Sequence, residues 1–199
     1  MPRPIILASG SNIRQALLNN AHVPFDVVVP RIDEESIKAA LLQEGASPRD
    51  VSDALAEHKS LKISKKYRDA LVIGCDQVLE HDGEILSKPN CPETARAQLA
   101  RLRGERHRLL SAVVICHQAS PIWRHIGQVR LEMRAFSDAY LDEYVERNWD
   151  SIRHAVGAYK LEEEGVRLFS RIDGDYFSVL GLPLLELLAY LNASGDLET

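Results

Sequence analysis

Short unbroken apolar runs alternate along the chain with stretches whose apolar residues recur every three or four positions. That alternation predicts strands interleaved with helices. Ile5-Ile6-Leu7-Ala8 reads as a buried strand. Ser11 then stands where a helix N-cap belongs, with Ile13, Leu17, Leu18 and Ala21 at helical spacing behind it. Pro24 closes that helical region, and Phe25-Asp26-Val27-Val28-Val29 reads as a second strand. Asp33-Glu34-Glu35 opens a helical segment running to Gln43. After the break at Gly45-Ala46, Ser47-Pro48 starts a helix carrying Leu55, Lys59 and Leu61.

Leu71-Val72-Ile73-Gly74-Cys75 is the clearest buried strand, and the pattern places Asp76 at its C-terminal end. Val78-Leu79-Glu80 and Glu84-Ile85-Leu86 flank His81-Asp82-Gly83, a hairpin signal because Asp-Gly tolerates positive φ. Pro92 to Leu102 follows as a helix ended by Gly104, then Leu109 to Ile115 as another central strand. Val129 to Arg134 alternates and reads as half exposed, and Ser137 caps a helix from Asp138 to Arg147. A second hairpin is expected near the end, with Val166 to Ile172, a turn at Asp173-Gly174, and Tyr176 to Leu180. Leu184 to Leu191 closes the pattern as an apolar helix.

Strands joined partly by helices and partly by hairpins favour an α/β or α+β fold with a mixed, curved sheet over a purely parallel one. No repeat, low-complexity tract or long linker divides the 199 residues, so one domain spanning 1–199, as a single body or two closely joined lobes, is expected. A 45% hydrophobic content supplies a core, while a formal net charge of -5 argues against a binder of nucleic-acid polymers. The N-terminal apolar run is too short for a signal peptide or membrane span, which makes a cytoplasmic protein the expectation. Cys75, Cys91 and Cys116 are odd in number and contain no C-x-x-C, the pattern of reduced structural thiols.

Candidate chemistry gathers at the predicted strand ends. Leu7-Ala8-Ser9-Gly10-Ser11 feeding a helix presents backbone N–H groups at a positive dipole end, with two hydroxyls and Arg14 close by. On spacing alone a capped turn is the better reading, and it is no Walker loop. Asp76 suits a general base or an oxygen ligand to a divalent ion, or simply a turn cap. Lys88, in Ser87-Lys88-Pro89, and Lys59 are point charges suited to phosphate, or solvated surface lysines. Glu34, if paired with Asp76 in space, completes a two-carboxylate site; otherwise it is a first-turn helix glutamate. His107 has no second histidine at ligand spacing and reads as a structural hydrogen-bonding residue.

In combination these stretches resemble the Maf family of nucleoside-triphosphate pyrophosphatases over nearly the whole chain. The matching residues are Leu7 to Ser11 with Arg14 and Leu17-Leu18, Pro24-Phe25, Asp33-Glu34 and Leu55-Ala56-Glu57-His58-Lys59. They continue in Val72-Ile73-Gly74-Cys75-Asp76, Gly83 to Pro89, Gly104 to Ser111 and Gly157-Ala158-Tyr159. Ile172 to Tyr176 and Val179 to Pro183 complete them. The resemblance implies a mixed α/β sheet in two lobes with a nucleotide cleft between them, and a homodimer. It implies hydrolysis of a nucleoside triphosphate to monophosphate and pyrophosphate with a divalent metal, Mg²⁺ or Mn²⁺. Asp76 matches the family's proposed catalytic base. Ser9, Arg14, Lys59 and Lys88 match its substrate-side positions, and Glu34 with Asp76 its metal side.

The departures are informative. Where relatives carry Ser-Pro-Arg-Arg this chain has Ser11-Asn12-Ile13-Arg14, and Gln77 follows the aspartate where many carry Thr. Tyr159-Lys160-Leu161-Glu162-Glu163 replaces a frequent Tyr-x-Ile-Gln-Gly. Ile13, Gln77 and Glu162 fall at positions tied to substrate choice, and resemble the branch acting on 7-methyl-GTP more than the branch acting on dTTP and UTP. A carboxylate at 162 is apt for guanine, since it accepts from N1–H and the 2-amino group. Loss of the arginine at 13 also fits a catalytically weak nucleotide-binding or regulatory protein.

Overall fold

The computed structural model describes residues 2–198. In chain order the elements are β1 (Ile5–Ala8), α1 (Asn12–Asn20), β2 (Asp26–Val27), α2 (Glu34–Gln43) and α3 (Pro48–Ser64). Then come β3 (Leu71–His81), β4 (Glu84–Leu86), α4 (Pro92–Leu102), β5 (Arg106–His117), β6 (Ser120–Met133) and α5 (Asp138–Ile152). Two 3-10 turns (Val156–Ala158 and Glu164–Leu168), β7 (Phe169–Asp173), α6 (Tyr176–Val179) and α7 (Leu184–Ala193) complete the chain. The sheet order is β2-β1-β3-β5-β6-β7, with β4 paired to β3. β1 runs parallel to β2 and β3, whereas β4 pairs antiparallel with β3 and β7 with β6. The sheet is therefore mixed, as the hairpin signals require.

The chain forms two compact units. The first comprises the residues up to Gln77, Ser111–Gly127 and those from Asp175 onward. Its strands β1 and β3 are buried on both faces, which is why they read as unbroken apolar runs. One face sets Leu7, Leu71, Ile73 and Cys75 against Leu17 and Leu18 of α1 and Leu187 and Leu191 of α7. The opposite face packs Ile6, Ala8 and Val72 against Ile63 of α3. In the second unit, Val78–Leu110 and Gln128–Gly174, helices α4 and α5 pack together. There Leu79, Leu99, Leu102, Leu131, Met133 and Tyr144 are fully buried. His107 takes the structural part expected of it. It is buried with Nε2 2.8 Å from Tyr159 Oη, and burial holds its pKa down at about 4.

Three expectations change. β3 does not stop at Cys75; it runs unbroken to His81, so Asp76 lies inside a strand. Gln77 is its sole half-buried residue, and the polar pair that reads as a strand end is instead carried within the sheet. Asp173-Gly174 is not a hairpin. The Asp175 side chain accepts from Ser178 N and caps α6 at the segment read as a strand. Finally, β2 keeps only Asp26–Val27, both exposed. All three cysteines are free thiols, and no helix among the described residues is long and apolar enough to cross a membrane.

Candidate active site

The first unit brings most of the candidate residues together, and a glycine makes this possible. At Gly74 a Cβ would come within 2.2 Å of the Ala56 carbonyl oxygen and 2.7 Å of Ser60 N. Only glycine lets α3 lie this close to β3. The close approach aims Lys59 of α3 at the strand: Nζ lies 2.7 Å from Asp76 Oδ1, 3.0 Å from Glu34 Oε2 and 3.5 Å from the Cys75 carbonyl. Lys59 and Asp76 are buried, while the Glu34 side chain stays 48% exposed. Glu34 and Asp76 are thus brought together in space, through the ammonium between them.

Burial pushes the Asp76 carboxyl above the usual aspartate range; the charge and hydrogen bond of Lys59 oppose this, and Arg14 opposes it more weakly. Asp76 Oδ2 takes no hydrogen bond among the described residues. The donor set suits a hard divalent ion in kind, since Mg²⁺ is held by one or two carboxylates together with substrate phosphates. Two carboxylates already converging on one cation fit that requirement. Among the described residues there is no group of three or more His, Cys, Asp or Glu placed to hold a metal.

The strand-to-helix turn folds as a capped turn with a cation built into it. Ser11 Oγ accepts from Arg14 N at 3.5 Å, and Ser9 Oγ accepts from Ser11 N at 3.2 Å and from Arg14 Nη1 at 3.3 Å. Arg14 Nη1 also donates to the Cys75 carbonyl at 3.2 Å, and Nε to the Gly181 carbonyl at 2.8 Å. The Cys75 carbonyl therefore accepts from both Arg14 and Lys59. Arg14 Nη2 makes no hydrogen bond among the described residues, which leaves donors for an anion. Ile13 is half-buried against the cluster that contains Leu17, Leu180 and Leu182.

Gln77 faces away from Asp76, as strand alternation demands. Its Nε2 donates to Ser111 Oγ and to the carbonyls of Ser178 and Val179. Ser111 and Ser178 escape a sequence-only reading, the first because it sits within an apolar strand run and the second because α6 reads as a strand. The one legible trace is a serine buried inside Leu109-Leu110-Ser111-Ala112-Val113.

The remaining candidates belong to the second unit. Lys88 follows β4 and is exposed. Glu162 is exposed in the turn between the two 3-10 turns. Its neighbours are committed: Glu163 binds Ser151 and Lys160, and Glu164 binds Arg147, Asn148 and Tyr140. Glu162 forms no ion pair among the described residues, so its carboxylate alone of the three stays available. Gly157 and Ala158 hold φ of 74° and 58°, and the Tyr144 hydroxyl donates to the Ala158 carbonyl at 3.4 Å, fixing the chain that leads to Glu162.

A family model described as Maf-like protein matches residues 4–194. The chain is 65% identical over 199 residues, covering all of both chains, to a nucleoside triphosphate pyrophosphatase of Ruegeria pomeroyi. It is 50% identical to one of Caulobacter vibrioides, over 98% of this chain and 97% of that one. Similarity extends to a 7-methyl-GTP pyrophosphatase of Brucella abortus, 44% identical over 94% of each. With its sequence matched nearly end to end and its mixed sheet in place, the chain belongs to the Maf-like protein family.

Proposed function

We propose that the protein hydrolyses a nucleoside triphosphate to the monophosphate and pyrophosphate, with a divalent cation, Mg²⁺ or Mn²⁺. The observation that carries this reading is the buried Asp76, raised in pKa and held between Lys59 and the sheet, with Glu34 on the same ammonium. Asp76 takes the proton from water as the water oxygen attacks the α-phosphorus. The bond from that phosphorus to the bridging oxygen breaks, and pyrophosphate leaves. Glu34 and Asp76 would hold the cation, which supplies neutralisation of the triphosphate charge. Arg14, Ser9, Lys59 and Lys88 serve the phosphates. Because Lys59 spends its three donors on Asp76, Glu34 and the Cys75 carbonyl, it must exchange at least one of them to reach a phosphate.

Ile13, Gln77 and Glu162 stand at the substrate-choosing positions, and the free carboxylate of Glu162 supports a guanine-type base such as 7-methyl-guanine. The same reading takes the protein to be a cytoplasmic homodimer, with no nucleic-acid polymer or membrane as partner. Pyrophosphate release over a panel of standard and 7-methylated triphosphates, with Mg²⁺ or Mn²⁺, is the test. Release from at least one triphosphate, lost in Asp76→Asn, is the expected result. Silence across the whole panel would instead leave a nucleotide-binding protein whose carboxylates are occupied by Lys59.

A further inference from the structure

The amide of Gln77 is held in one orientation. Its Nε2 meets Ser111 Oγ at 2.9 Å, the Ser178 carbonyl at 3.1 Å and the Val179 carbonyl at 2.9 Å. The single Ser111 hydroxyl proton goes to the Ser178 carbonyl at 2.6 Å, so Ser111 Oγ meets Gln77 as an acceptor. Flipping the amide would set Oε1 against two carbonyl oxygens and strand a buried acceptor cluster without its donor. In the observed orientation Oε1 takes no hydrogen bond among the described residues.

The carbonyls involved lie at the C-terminal end of α6: that of Ser178 also accepts from Gly181 N at 3.2 Å, and that of Val179 is one that a helix end leaves without an intrahelical partner. The Gly181 carbonyl, just beyond, accepts from Arg14 Nε. One turn therefore holds both Gln77 and Arg14. Ser111 and Ser178 are 0% and 2% exposed, so water does not replace a missing hydroxyl there. The turn is also fixed from beneath, because a Cβ at Gly127 would lie 2.3 Å from Ser178 Oγ.

We propose that Ser111 is a positioning residue for substrate choice: together with the Ser178 and Val179 carbonyls its hydroxyl ties the Gln77 amide nitrogen inward, so that position 77 offers the substrate a hydrogen-bond acceptor and no donor. The ligand class is a nucleotide base with an N–H on the edge it turns to Gln77. The inference rests on the reading of Gln77 as a substrate-choosing residue.

Two measurements test it. By nuclear magnetic resonance, the Gln77 side-chain amide protons exchange slowly with water in the native protein. They exchange about tenfold faster in Ser111→Ala, the loss of one hydrogen bond, and slowly again in Ser111→Thr. In turnover, Ser111→Ala narrows the spread of kcat/KM across the triphosphate panel several-fold, through KM, with kcat kept within about threefold, and Ser111→Thr restores it. Unchanged exchange in Ser111→Ala overturns the proposal, and so does faster exchange with an unchanged spread. Should the native protein release pyrophosphate from no triphosphate, the hydrolase reading fails on its own, and the exchange rates alone decide whether Ser111 orients Gln77.

Discussion

Lys59 sets the chemistry of Asp76, and the direction of its effect can be read from the contacts. Burial raises the Asp76 pKa and Lys59 pulls it back, so the proton-accepting carboxylate is lost as pH falls through a value above the ordinary 3.8. Removing the ammonium while keeping the side chain's length, in Lys59→Met, leaves burial opposed only by the weaker pull of Arg14. The acid limb of the kcat/KM profile then moves to higher pH by about one unit or more, as expected when an opposite charge within a few ångströms is lost. A limb that stays in place would detach Lys59 from the function of Asp76. His107 gives a stability prediction of known sign. It is buried and neutral, with a pKa lowered from 6.5 to about 4, so the unfolded chain takes up the proton first as pH falls. Stability is then lost between those values, by up to about 3 kcal/mol at 1.36 kcal/mol per unit. Urea unfolding at pH 7 and pH 4.5 should show that loss in the native protein and a smaller one in His107→Gln.

At the scale of elements, the site depends on how closely α3 can lie against β3. A methyl at Gly74 meets backbone atoms of Ala56 and Ser60, which cannot yield as a side-chain tip could. Gly74→Ala should therefore cost about 1–3 kcal/mol or more, as overpacking does. Because it shifts the helix that carries Lys59, it should also lower kcat. Thermal unfolding with the turnover assay checks both, and native turnover in a folded Gly74→Ala protein would remove the close approach from the site's requirements. Most helix starts are legible in the sequence because local chemistry decides them: Ser11, Asp33, Ser47 and Ser137 all cap the helices they announce. Two of the three misread segments fail for different reasons. Asp76-Gln77 is polar yet lies within a strand because Lys59 and Ser111, distant in sequence, supply its partners. Tyr176 to Val179 is apolar and short, and only the Asp175 cap distinguishes its helix from a strand.

At the scale of the molecule, the same division separates what composition and pattern reveal from what only folding creates. The mixed sheet follows from runs and turns, and Ser9, Arg14, Glu34, Lys59 and Asp76 are nameable from residue type together with family resemblance. The Lys59 bridge between two carboxylates is not, nor is the carbonyl turn that holds both Gln77 and Arg14, because each joins segments far apart in the chain. The first unit is closed by another such long-range pairing. Arg3 Nε lies 2.9 Å and Nη2 2.5 Å from the two Asp196 oxygens, Arg3 N donates to the same carboxylate, and Ser194 Oγ donates to it as well. These bonds hold the Asp196 carboxyl well below the usual range, with the Arg3 side chain the main cause. A depressed carboxylate contributes stability that is complete above its unfolded pKa and fades as pH falls below it. With the Asp196 side chain 4% exposed, Asp196→Ala removes the carboxylate partner of Arg3 and should cost about 1.5–3 kcal/mol at pH 7, the range for hydrogen bonds to charged groups. That cost should shrink toward pH 3, where the native carboxylate no longer holds its full advantage. Equal penalties at the two pH values in denaturant titrations would show that packing around Asp196, rather than its charge, ties Arg3 to the last helix.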